Sequence, residues 1–98
     1  MRLIYHPDAE AELIEAAQFY EERVSKLGAQ FLGAVDRAIG VILEAPDRWN
    51  IIEADIRGYL MPRFPYAIYY RVMQDHIRIL AFKHHSRHPT YWRYRVAD

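Results

Sequence analysis

The residues Lys83-His-His-Ser-Arg-His-Pro-Thr-Tyr-Trp-Arg-Tyr-Arg95 concentrate side chains able to bind anions, move protons or stack on rings. A histidine titrates near neutral pH, so His84 or His85 could give or take a proton. The alternation of Tyr91, Arg93, Tyr94 and Arg95 suits both protein hot spots and nucleotide stacking. Each group also has a structural use. His84 could bond backbone where a strand ends and so order the tail, and Trp92 suits a core anchor. A strand arginine such as Arg71 often reaches an acid on a packed helix, and Arg87 could bridge to Asp75 or to a carbonyl. Metal chemistry is a poor fit. His84 and His88 would face each other only on a helix, Pro89 opposes a helix there, and the tail holds no carboxylate. No metal and no cofactor are expected.

Charge sharpens the picture. Residues 1–49 carry nine acids and five bases, whereas residues 50–98 carry four acids and eight bases, so the halves stand at −4 and +4 within a net charge of zero. From Ile77 to Val96 there is no acid, while Arg78, Lys83, Arg87, Arg93 and Arg95 are basic. Such a segment attracts phosphates or an acidic partner, or else balances acidic helices of its own chain.

These residues need elements to position them. At 98 residues, 52% hydrophobic and 14% aromatic, the chain suits one domain over 1–98 with a core of its own, and the composition argues against disorder. Without cysteine there is no disulfide, thiolate metal site or thiol nucleophile. No apolar run reaches a membrane span and Met1–Glu10 does not resemble a signal peptide, so a soluble cytoplasmic protein is expected. Arg2–Tyr5 is β-prone and stops at Pro7, which suits a first helical turn. Leu13, Ala16, Ala17, Tyr20 and Val24 recur at three and four, predicting a helix from about Pro7 to Val24. Phe31, Val35, Ala38, Ile39 and Ile42 predict a second, ending before Pro46. Ser25–Gly28 leaves room only for a tight connection, and Gly28, Gly33 and Gly40 permit close approach of the two helices.

Beyond Pro46 the period becomes two, with strands expected at Ile51–Ala54, Arg57–Met61, Tyr66–Met73 and Ile77–His84. Asp55-Ile56 would turn the first pair, and Gln74-Asp75-His76 would form a three-residue hairpin loop. The fold class is α+β: a short N-terminal strand and an antiparallel helical hairpin packed on a small, mainly antiparallel sheet. Strict alternation sets Ile77, Ile79 and Ala81 against Arg78, Leu80 and Phe82, and Tyr66, Ile68, Tyr70 and Val72 against Ala67, Tyr69, Arg71 and Met73. Both faces are thus largely apolar, and the hairpin can cover only one. The chain's own tail or another chain must cover the second.

The helical hairpin, the Tyr66-Ala-Ile-Tyr-Tyr-Arg71 strand and the His84-x-x-Arg87-x-Pro89-x-x-Trp92 tail together resemble the RelE/ParE superfamily of type II toxin–antitoxin toxins, most closely its ParE branch. The resemblance implies a growth-inhibiting toxin, of the kind associated with plasmid stabilisation, that is silenced by a cognate antitoxin protein. ParE-like members are associated with DNA gyrase, and RelE-like members with cleavage of messenger RNA on the ribosome. A metal-free ribonuclease needs cations for the phosphorane and groups that move protons. Only Lys26 and Lys83 are lysines, Ala67 stands where RelE-like strands carry arginine, and His84 stands where they tend to carry another. A nuclease would have to draw on Arg71, His84, His85, Arg87 and Tyr91. A target- or antitoxin-binding surface would draw on Arg78, Arg87, Tyr91, Arg93, Tyr94 and Arg95. The expectation is a toxin that binds gyrase without a hydrolytic centre; the alternatives are a ribosome-dependent endoribonuclease and a non-toxic partner of the antitoxin.

Overall fold

The computed structural model describes residues 1–97. Its elements are β1 (Arg2–Tyr5), α1 (Pro7–Arg23), α2 (Leu27–Glu44), β2 (Ile51–Glu53), β3 (Ile56–Leu60), β4 (Tyr66–Val72) and β5 (His76–His84), followed by a 3₁₀ turn at Arg93–Val96. The sheet runs β1-β5-β4-β3-β2. Every neighbouring pair is antiparallel except β1 with β5, which is parallel because α1 and α2 intervene as part of the crossover.

Helix α1 begins where Pro7 fixes φ and the His6 ring accepts the Asp8 N–H at 3.0 Å. The connection to α2 is tight, and α2 starts at Leu27, earlier than its apolar period suggests. Glu21 on α1 accepts the N–H groups of Lys26 and Gly28, which caps α2 from its neighbour. Gly28 is the glycine that the packing requires. A Cβ there would sit 2.6 Å from the Ala17 carbonyl oxygen, whereas Gly40 has open space around it and Gly33 meets only the tip of Arg37. Phe31, Val35, Ile39 and Ile42 pack with Ile68, Tyr70, Ile77 and Ile79, and Leu13 and Tyr20 line the margin of this core. The Tyr70 hydroxyl, carried into the interior, donates to the Pro46 carbonyl at 2.6 Å.

Three strand details differ from strict alternation. Ala54, at φ 52°, turns β2 into β3, so Ile56 is already paired in β3. The β4–β5 loop comprises Met73, Gln74 and Asp75, because His76 pairs with Arg2 of β1. Most consequential is a bulge in β5: Tyr69 faces Ala81 while Tyr70 faces Ile79, leaving Leu80 as the extra residue. One extra residue reverses the phase of the strand beyond it. Ile77, Ile79 and Phe82 therefore face the helices, while Leu80 and Ala81 face the other side.

That other side is covered by the chain's own C-terminal segment. Trp92, 1% exposed, packs with Ile56, Ala67, Tyr69, Leu80 and Ala81, and Tyr91 and Val96 flank it. The Tyr69 and Trp92 rings meet edge to face at 5.3 Å, and the indole N–H donates to the Pro89 carbonyl at 2.7 Å.

Candidate functional site

Where β1 ends, the β5 edge loses its strand neighbour, and α1 and the tail take over. The Arg95 guanidinium donates to the Leu80 carbonyl at 3.0 Å, and Glu12 accepts the Phe82 N–H at 3.1 Å. Backbone groups next to the bulge are thus satisfied by two side chains, which in turn pair with each other. Arg95 Nη1 and Nη2 reach Glu12 Oε1 and Oε2 at 2.8 and 3.1 Å, with the side chains 5% and 14% exposed. The Tyr91 hydroxyl donates to Glu12 Oε2 at 2.6 Å. Burial, then Glu12 itself, pushes the Tyr91 pKa well above the usual phenol value. Burial lowers the Arg95 pKa, but its bonds to Glu12 and Tyr94 outweigh this and raise it.

Beside this cluster, α1 and the start of the tail border a cleft of about 320 Å³. One wall presents Glu12, Glu15 and Phe19 of α1; the other presents Tyr66, His84 and Arg87. His84 Nδ1 accepts the Ser86 N–H at 3.0 Å, which orders the chain leaving β5. Its ring meets Tyr66 edge to face at 5.1 Å. Burial, with smaller contributions from Tyr20, Glu12 and Glu15, pushes the Tyr66 pKa up to about 12. Arg87 lies over the Tyr91 ring at 3.9 Å and is otherwise exposed.

Of the five residues a nuclease would need, the cleft and its rim bring together His84, Arg87 and Tyr91. Arg71 pairs with Asp55 at 2.9 Å, on a turn and not on a helix. It lies five ladder positions, about 17 Å, from the end of β4 that faces His84, and on the opposite sheet face. His85 is exposed, and its backbone N–H bonds the Pro65 carbonyl. The basic residues drawn on for recognition also separate. Arg95 is buried, Arg93 forks onto Glu53, and Arg78 is half-buried with its Nε against no acceptor among the described residues. Tyr94 is exposed along its ring, with its hydroxyl on Asp8. Among the described residues, Arg87 bridges neither Asp75 nor a carbonyl, and it remains at the surface.

The contribution of α1 was not anticipated from the sequence. Glu12, Glu15 and Phe19 lie three and four residues apart on one helical face, beside the buried Ala16. The opposed charges of the two halves of the chain were the other signal, and Glu12–Arg95 is where they meet. Among the described residues, no group of three or more His, Asp or Glu is placed to hold a metal, and no helix is long and apolar enough to cross a membrane.

The sequence profile of the family described as "ParE toxin of type II toxin-antitoxin system, parDE" matches residues 3–89. No curated protein sequence matches the chain significantly. Among solved structures, a chain of the chromosomal ParDE toxin–antitoxin system from P. aeruginosa superposes with a TM-score of 0.75 at 16% identity, over 86% of this chain and 95% of that one. At that identity the likeness is one of fold.

Proposed function

The chain belongs to the ParE toxin family of type II toxin–antitoxin systems, and on that premise we propose that it arrests growth by binding DNA gyrase in the cytoplasm, without a hydrolytic centre, until a cognate antitoxin silences it. One observation carries the absence of a hydrolytic centre: Arg71 and Tyr91 of the nuclease set, and the neighbouring Arg93 and Arg95, are each held by a carboxylate of the chain's own. Arg71 is on Asp55, Arg93 on Glu53, and Arg95 and Tyr91 are both on Glu12. A phosphorane needs convergent positive charge, and the cleft sets Arg87 opposite Glu12 and Glu15.

For the antitoxin, Arg87 on one wall of the cleft is the charged contact and the exposed Phe19 on the other wall the apolar one. The sheet face is not available to it, because Trp92 covers that face. An acidic, apolar antitoxin segment would meet Arg87 early, so Arg87→Glu should slow association and flatten its salt dependence with less effect on dissociation.

The deciding experiment is induction without antitoxin, read as DNA-damage response and translation separately, alongside supercoiling by purified gyrase. Arrest with a damage response, inhibited supercoiling and intact ribosome-bound messenger RNA is expected. Cleavage at defined codon positions, abolished by Arg87→Ala, would replace this proposal with the nuclease.

A further inference from the structure

Away from the cleft, a second depression of about 420 Å³ is lined by Lys26, Arg37 and Arg63, with Ala29, Gln30 and Gly33 between them. The three cations come from separate places: the α1–α2 connection, the middle of α2 and the loop between β3 and β4. All three are exposed. The ion pairs of the described residues involve Arg2, Arg71, His76, Arg93 and Arg95, and none involves these three. Glu21 is the acid next to Lys26 along the fold, and its two oxygens already accept the N–H groups of Lys26 and Gly28. Those bonds also cap the start of α2, so the groove's positive character resides in side chains and not in the helix end.

Of the three described non-glycine residues at positive φ, two border this groove, the third being Ala54 in the β2–β3 turn. Lys26 and Arg63 both stand at φ 73°, the left-handed region that a residue with a Cβ seldom occupies. Such conformations occur in tight turns and also cluster at ligand clamps. Gly33 also lines the groove, and a Cβ there would make an ordinary contact, 3.5 Å, with the Arg37 guanidinium.

We propose that Lys26, Arg37 and Arg63 form a binding groove for the phosphodiester backbone of nucleic acid. Two guanidiniums, an ammonium and the Gln30 amide NH2 supply donors, which matches a run of phosphate oxygens. An acidic protein segment fits less well. Protein contacts depend on apolar or aromatic anchors in desolvated pockets, and this groove offers only Ala29 and bare glycine backbone. Backbone contacts to nucleic acid require no such anchor. The inference stands whether or not gyrase is the target, since it concerns a groove that the cleft does not share.

The test is fluorescence anisotropy of the full chain with a labelled mixed-sequence duplex DNA and, in a parallel arm, a labelled single-stranded RNA, each across a salt series. Three phosphate contacts give a slope of log K against log salt of about −2.7 for duplex and about −2.1 for single strands. The triple variant Lys26→Gln, Arg37→Gln, Arg63→Gln should fold with an unchanged melting temperature and lose most of that slope. The charge-conserving triple Lys26→Arg, Arg37→Lys, Arg63→Lys should keep it. Preferential duplex or single-strand binding tells which nucleic acid the groove takes. The proposal fails if the neutral triple binds as the wild type does, or if Arg87→Gln abolishes the slope instead. It also fails if neither nucleic acid binds, including when polyglutamate binds through the same three residues.

Discussion

At Glu12 two carboxylate oxygens take four hydrogen bonds, from the Phe82 N–H, the Tyr91 hydroxyl and both Arg95 terminal nitrogens. Removing one member of a buried ion pair leaves the other charge without compensation, so Glu12→Ala should cost about 3–5 kcal/mol in urea denaturation. Replacing both members by apolar groups, as in Glu12→Leu with Arg95→Met, should recover a large part of that loss. Equal losses in the single and double variants would mean that Glu12 and Arg95 act through the Phe82 amide, the Tyr91 hydroxyl and the Leu80 carbonyl and not through each other. Arg93, whose guanidinium forks onto Glu53 in the open, provides the contrast, and Arg93→Ala should barely move the midpoint. Burial raises the pKa of Tyr66 and Tyr70 to about 12, and that of Tyr91 is raised as well. The folded protein therefore keeps phenolic protons that the unfolded chain releases near pH 10, so stability is full below pH 10 and falls as pH rises towards 12. Denaturation midpoints across that window should decline, and the decline should be shallower in Tyr70→Phe. A flat profile would show that these phenols are not buried in solution.

Among the elements, the two helices depend on one close approach. Gly28→Ala forces a Cβ against the Ala17 carbonyl and the Glu21 Cβ, at 2.6 and 2.9 Å, and should cost about 1–3 kcal/mol. Gly40→Ala meets nothing within 4 Å and should stabilise α2 by up to about 1 kcal/mol. Opposite signs for these two substitutions in thermal melts would establish which glycine the packing requires. Matching signs would refute the helix spacing. Against the sheet, Ile39 is 8% exposed in the main core, and Ile39→Ala should cost about 2–5 kcal/mol. The β5 bulge has the widest consequences of any backbone feature, because it sends Phe82 to the helices and Ala81 to the tail.

For the whole molecule, the tail is the third layer. Deleting residues 89–98 removes Trp92 from Tyr69 and Leu80 and leaves Glu12 without Arg95. The truncated chain should bind a hydrophobic dye and lose its cooperative melt, whereas a variant confined to the surface, such as Arg87→Gln, should do neither. A cooperative, dye-silent truncation would mean that the second face is stable without the tail.

The amino-acid pattern alone set the class of fold, since period and punctuation are local. Pro7 starting a helix, Pro46 following one, apolar residues at three and four and then at two are signals carried within a few neighbouring residues. It determined as well that both faces of β4 and β5 are apolar, so that a third layer had to exist. The cover of the second face was decided by tertiary structure. Trp92 and an outside partner are equally apolar on paper, and only the path of the chain after Pro89 separates them. The phase of β5 was decided there too, because the bulge at Leu80 has no glycine to announce it and is satisfied by groups about 70 and 15 residues away, Glu12 and Arg95. The basic stretch from Ile77 to Val96 followed from composition alone, yet its use did not. Arg71, Arg93 and Arg95 find acids on a turn, a strand and a helix distant in sequence, and pairing at that range depends on where the backbone places each carboxylate. The same holds for Lys26, Arg37 and Arg63, scattered in the sequence and gathered around one groove only by the packed fold.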